Sequence, residues 1–128
     1  MITKLRLPPP SQWEDFEILV WRIFKDEWKN SEVERFGRQG QEQYGLDILG
    51  RDYTRNNEYV AIQCKNYKSK VTRQFLEVCI KKVKSFEKPI DKFILALSTE
   101  RDAKLQLAAI ELNERNLEEG LFGFKLLF

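Results

Sequence analysis

Gly45-Leu46-Asp47-Ile48-Leu49-Gly50, a polar turn around Asn56-Asn57, then Tyr59-Val60-Ala61-Ile62-Gln63-Cys64-Lys65: this stretch governs the reading of the whole chain. Both halves are rich in β-branched, aliphatic and aromatic residues and are bounded by Gly, Asn and Asp, which predicts two adjacent strands. Successive side chains of a strand point to opposite faces. Val60, Ile62 and Cys64 therefore share one face of the second strand, and Ala61, Gln63 and Lys65 share the other. Asp47 interrupts the first strand between Leu46 and Ile48. A carboxylate, an amide oxygen and an ammonium thus come from neighbouring strands, at positions where a buried strand is normally apolar. Such a set suits a divalent cation held beside a phosphate.

Upstream, Pro8-Pro9-Pro10 is stiff and non-helical. Ser11-Gln12-Trp13-Glu14 then fits a capping box, which predicts a helix running to about Lys29. Trp13, Phe16, Val20, Ile23, Phe24 and Trp28 recur at helical spacing and form its buried stripe. Glu17 lies beside that stripe, where a carboxylate can reach over the rim of a core. The cap uses Glu14, which leaves Glu17 as the functional candidate. Glu32 to Phe36 alternates as a short strand should. From Gly37 to Gly45 there are three glycines and no aliphatic residue, the composition of an exposed loop. Its backbone can come close to a phosphate, and Arg38 and Gln41 can hydrogen-bond to one. The loop carries neither a Walker motif nor a dinucleotide fingerprint.

Downstream, Asn66 to Val71 reads as a basic loop, and Thr72 caps a second helix to about Phe86. Phe75, Leu76, Cys79, Ile80 and Val83 face inward, while Arg73, Glu77 and Lys81 form an i,i+4 chain outside. Pro89 ends that helix. Phe93-Ile94-Leu95-Ala96-Leu97 reads as a strand buried on both faces. Ser98-Thr99 is expected to cap a third helix, roughly 101 to 117, with Leu105, Ala108, Ala109 and Leu112 inward and Gly120 as its stop. Leu121 to Phe128 makes a last strand. The order α-β-β-β-α-β-α-β predicts an α/β fold, a mixed central sheet flanked by helices, in one domain spanning residues 1–128. The chain stops on Leu126-Leu127-Phe128 without a polar tail, so we expect it to be part of a longer multidomain protein.

Composition narrows the chemistry. With 42% hydrophobic residues and 9 Phe, the 128-residue chain can build a real core. It has no His, which excludes imidazole catalysis and the usual His/Cys zinc sites. Its 2 cysteines, Cys64 and Cys79, sit in apolar patterns and read as reduced core thiols. No apolar run approaches the roughly 20 residues of a membrane span, and no signal-peptide core is visible, so a soluble cytoplasmic location is expected. The net charge is only +2, but residues 65–92 hold nine Lys/Arg against three acids. A basic segment directly after Gln63-Cys64-Lys65 suits a phosphate backbone. Lys68, Lys70, Arg73, Lys81 and Lys84 therefore join Arg38 and Gln41 as candidate nucleic-acid contacts. No recognition-helix pattern or zinc finger is present, so contact with little sequence preference is expected.

These features together resemble the PD-(D/E)xK nuclease superfamily, and most of all its Mrr-like variant, whose signature is a helical Glu, then G-x-D, then Q-x-K. Here those positions are Glu17 in Phe16-Glu17-Ile18-Leu19, Gly45-Leu46-Asp47 and Gln63-Cys64-Lys65. The longer run Gly37-Arg38-Gln39-Gly40-Gln41 through Lys65 is similar to nuclease domains at the N-terminus of bacterial antiphage effectors. The resemblance implies a restriction-endonuclease-like core and a metal-dependent endonuclease acting on duplex DNA with Mg²⁺ or Mn²⁺. By it, Asp47 is the main metal ligand and Gln63 a second through its amide oxygen. The Cys64 backbone carbonyl is a third, and Glu17 binds directly or through water. Lys65 orients or deprotonates the attacking water. The resemblance also implies partners: self-association on activation, and a sensor or NTPase region of the same longer chain. Two departures stand out. Leu46 replaces the Pro that names the superfamily, and Gln63 brings no charge, so metal binding leans harder on Asp47 and Glu17. The rival readings are a catalytically idle nucleic-acid-binding or oligomerisation module and a structure-selective nuclease of the junction-resolvase kind.

Overall fold

Strand β3 (Glu58–Lys65) is the middle strand of a five-stranded sheet, and everything else is placed by it. A computed structural model describes residues 13–37, 44–65 and 71–128, with side chains of the first helix from residue 15 onward. Pro8 to Pro10, the Ser11 cap, Arg38, Gln41 and the basic residues Lys68 and Lys70 lie outside the described residues. On one side β3 pairs antiparallel with β2 (Ile48–Asp52), in the register Ile48↔Ile62 to Asp52↔Glu58. On the other it pairs parallel with β4 (Lys92–Leu97), and β4 pairs parallel with β5 (Gly123–Leu127). The two-residue β1 (Glu34–Arg35) lies outside β2. The sheet order β1-β2-β3-β4-β5 is mixed, as expected.

The alternation read from the sequence sorts the helices. Val60, Ile62 and Cys64 face α1 (Trp13–Glu27), where Phe16, Val20 and Trp28 complete one core with Ile48, Ile94 and Ala96. Ala61 faces the other way. There α2 (Arg73–Lys84) and α3 (Ala103–Glu118) cover a larger core that includes Leu76, Ile80, Phe93, Leu95, Leu97 and Leu112. Each fully buried side chain of this kind is worth roughly 1.5–3 kcal/mol relative to exposure. Gly50 has no room for a side chain: a Cβ there would sit 2.9 Å from Val33 Cγ2, so glycine lets Val33 and Trp28 close on β2. No helix among the described residues is long and apolar enough to cross a membrane. Cys64 and Cys79 are buried free thiols.

Several boundaries differ from the sequence reading, each for a local reason. Helix α1 ends at Glu27. Lys29 takes a left-handed φ of 50°, and Asn30 N–H returns to Lys25 C=O at 3.0 Å, a C-terminal lock more often built with glycine. Strand β2 starts at Ile48 because Tyr44 (φ 57°) and Gly45 (φ 78°) form a turn. Strand β1 keeps only two of its five expected residues. Thr72 does cap α2, its hydroxyl accepting from Phe75 N at 3.2 Å. The cap of α3, however, is Asp102 and not Ser98-Thr99: Asp102 Oδ1 accepts from Lys104 N at 2.9 Å. Ser98 is still held by the sheet, donating its N–H to Lys65 C=O at 3.1 Å.

Candidate active site

Asp47 is pinned from both sides before its side chain does anything. Its carbonyl accepts from Phe36 N at 2.7 Å, and its own N–H donates to Ile62 C=O at 2.8 Å. The side chain then reaches past the end of the β2–β3 ladder, and Oδ2 accepts the Cys64 N–H at 2.7 Å. A main-chain donor that would otherwise need another strand is thus satisfied by a carboxylate. Only 8% of Asp47 is exposed. Burial pushes its pKa from 3.8 up to about 7; the Cys64 N–H pulls down, Glu17 pushes up by charge and hydrogen bond, and Lys65 pulls down.

Glu17 arrives from α1 and is as buried as Asp47, at 6% exposure. It shares a hydrogen bond with the Asp47 carboxyl. Its Oε2 also accepts from Arg35 Nε at 2.9 Å and Nη2 at 2.5 Å. Reading the sequence gave Glu17 no structural partner; the structure supplies Arg35. The signal was present in the alternation of β1, because Val33 packs in the α1 core and Arg35, two residues on, shares its face.

Gln63 points to the opposite face of β3. Its side chain lies against Gly45, two residues before Asp47: a Cβ on Gly45 would stand 3.4 Å from Gln63 Oε1. That oxygen is buried and has no hydrogen-bond partner among the described residues. The amide also meets the Cys79 thiol. Burial pushes this thiol up to about 11, against the pull of Lys65, Lys82 and the Gln63 hydrogen bond. The Cys64 thiol is wholly buried in the α1 core and is pushed well above the ordinary range, which rules it out as a nucleophile. Lys65 ends β3, partly buried, and its charge is felt at both Asp47 and Cys79.

Glu17, Asp47 and the Cys64 main chain are therefore in direct contact, Gln63 is seated beside the Asp47 turn, and Lys65 acts on the group through its field. The basic candidates that are described lie on α2. Arg73 is exposed and holds Glu77 at 3.2 Å and Glu111 at 2.5 Å. Lys84 Nζ is 3.9 Å from Glu119, and Lys81 is exposed.

No three His, Cys, Asp or Glu side chains among the described residues gather as they would around a metal. The oxygen donors here are two carboxylates and one amide, a mixture that hard cations accept. Buried polar atoms are normally partnered, so the Gln63 oxygen, unpartnered among the described residues, and the two carboxyls crowded together fit a cation better than they fit a closed core.

A family model described as a restriction endonuclease, of the Mrr catalytic type, matches residues 17–113, most of the chain. No curated protein and no solved structure matches.

Proposed function

The chain belongs to the Mrr-like restriction endonuclease family, and on that footing we propose that it hydrolyses phosphodiester bonds of duplex DNA with the help of a divalent cation. The observation that carries this is the buried oxygen of Gln63, unpartnered among the described residues, beside the turn that precedes Asp47, whose carboxyl is pushed up to about 7 chiefly by burial and also by Glu17. Asp47, Glu17, Gln63 and the Cys64 carbonyl would hold Mg²⁺ or Mn²⁺. When bound, the ion neutralises charge on the phosphate oxygens and makes a water more acidic.

The chain's own residues supply the rest. Asp47 is oriented by its grip on Cys64 N–H, so its second oxygen is presented in one direction. Lys65, at the strand end, orients or deprotonates the attacking water and offsets negative charge as the phosphorus centre expands. Arg38, Gln41 and the basic residues from Lys68 to Lys84 hold the sugar-phosphate backbone. Arg73 would have to exchange its carboxylate partners for phosphate to take part. The similarity of the Gly37–Lys65 run to antiphage effectors supports a role as the cutting domain of a larger defence protein, switched on by association of several copies.

A plasmid cleavage assay with Mg²⁺, with EDTA and with Lys65→Ala tests the reading. Cleavage should require Mg²⁺ and disappear with Lys65→Ala. Cutting that persists in EDTA would remove the metal from the mechanism. Metal binding without scission of linear, branched or single-stranded DNA would favour the idle module.

A further inference from the structure

Arg35 belongs to the acid cluster, yet neither the G-x-D…Q-x-K pattern nor the family match gives it a role. Two buried carboxyls in hydrogen-bond contact need compensating positive charge or a proton. Arg35 brings that charge to Glu17, with Nε and Nη2 both on the single oxygen Oε2, at 2.9 and 2.5 Å. Its charge also acts on the Cys64 thiol. The guanidinium reaches solvent. A third of the Arg35 side chain, 34%, is exposed, against 8% for Glu17. It projects from β1, the terminal strand, which pairs with β2 at Glu34↔Leu49 and Arg35↔Ile48 and is continued by the Phe36 N–H on the Asp47 carbonyl. A cation entering among Glu17, Asp47 and Gln63 needs the same Glu17 oxygens and repels the guanidinium that holds them.

We propose that Arg35 is a built-in stand-in for the divalent cation: it neutralises Glu17 while no ion is bound and yields that carboxylate when the ion arrives. This rests on the metal-site reading above. It makes the ion-free site self-neutralised, so the acids stay folded inward and Glu17 is delivered already oriented. Arg35 is a positioning residue in this scheme, acting through Glu17.

The test needs no cleavage. In the ion-free wild-type protein, the Arg35 Nε–Hε cross-peak in a ¹⁵N correlation spectrum should carry the shift and slow exchange of a paired guanidinium. Titration with Mg²⁺ alone should move it, saturably, towards a solvent-exposed arginine. By calorimetry, Arg35→Met should bind Mn²⁺ about three- to tenfold more tightly than wild type, since a competing positive charge has gone. Arg35→Lys, which keeps the charge without the two-pronged grip and guards against a folding defect in the Met variant, should fall between them. A cross-peak unmoved at saturating Mg²⁺ overturns the proposal. So does an Arg35→Met variant weakened for Mn²⁺ as much as Glu17→Gln, which would make Arg35 a fixed support. If wild type and variants alike bind neither ion, this proposal and the metal-site reading both fail. Binding by wild type with Arg35 undisturbed sinks this one alone.

Discussion

The two halves of β3 have the same neighbours in sequence and opposite fates. From Glu58 to Ile62 the strand pairs with β2, and from Val60 on with β4 as well, and Val60, Ala61 and Ile62 are at most 1% exposed. From Gln63 to Lys65 only β4 continues alongside, and across from it stands the Asp47 carboxylate in place of another strand. The lower half is pure scaffold. The upper half is buried at Gln63 and Cys64 but carries polar side chains, with one amide oxygen unpartnered among the described residues. The candidate site lies where the ladder gives out, where main-chain donors and carbonyls are no longer taken up by a neighbouring strand. The two halves should therefore separate cleanly under mutation: one carries stability, the other chemistry.

The largest effect is expected from Asp47→Asn. Cleavage, and Mn²⁺ affinity by calorimetry, should fall by at least about a hundredfold, more than loss of an outer-shell partner causes. Metal-free stability at pH 8 should hold steady or rise, because a buried carboxylate is replaced by a neutral group of the same shape. A large loss of stability in this variant would blur the division. Ile62→Ala is the mirror experiment. It should cost about 2–5 kcal/mol in urea unfolding, while Mn²⁺ affinity of the folded protein stays within a factor of two or so.

The pH dependence sharpens the same contrast. Asp47 titrates at about 7 in the folded protein and near 3.8 when unfolded. Its contribution favours the fold fully below pH 4, where both states hold the proton. It is lost as pH rises through 7, because the unfolded chain ionises first. Metal-free unfolding free energy should thus fall by a few kcal/mol at most between about pH 4 and 7. Asp47→Asn should flatten that slope. The apparent Mn²⁺ affinity should weaken about tenfold per unit below pH 7, as the ion displaces the Asp47 proton. The smallest expected effect is that of Gln63→Met. Losing one neutral donor should weaken Mn²⁺ binding by about tenfold, and stability should change by less than about 1.5 kcal/mol because the swap nearly conserves volume. A marked loss of stability there would mean that the Gln63 oxygen has a structural partner, or that the amide's contact with Cys79 matters to the fold.

Much of this was legible in residue order. Alternation in Tyr59 to Lys65 assigned faces that the two cores reproduce, since a strand has only two sides and one-residue slips would expose Ile62 or Val60. Thr72 and Gly120 marked helix ends through local geometry. The errors share a cause. Ser98-Thr99 looked like a helix start because hydroxyls cap helices, but the ladder to Lys65 runs on through Ser98 and leaves the cap to Asp102. Lys29 closes α1 in a conformation that its side chain gives no hint of. Long-range pairing overruled local preference in the first case and was silent in the second.

The amino-acid order alone determined the elements, their succession, the sides of β3 and the presence of Glu17, Asp47, Gln63 and Lys65 at places where apolar residues were due. These follow from periodicity and backbone preference, which act over a few residues. Only the tertiary structure decided that Asp47 takes the Cys64 N–H, that Glu17 is tied to Arg35 across 18 positions, and that the Gln63 oxygen is buried without a hydrogen-bond partner among the described residues. Those facts depend on desolvation and on hydrogen bonds between distant segments, which do not exist until α1, β1 and β3 have closed around the same point.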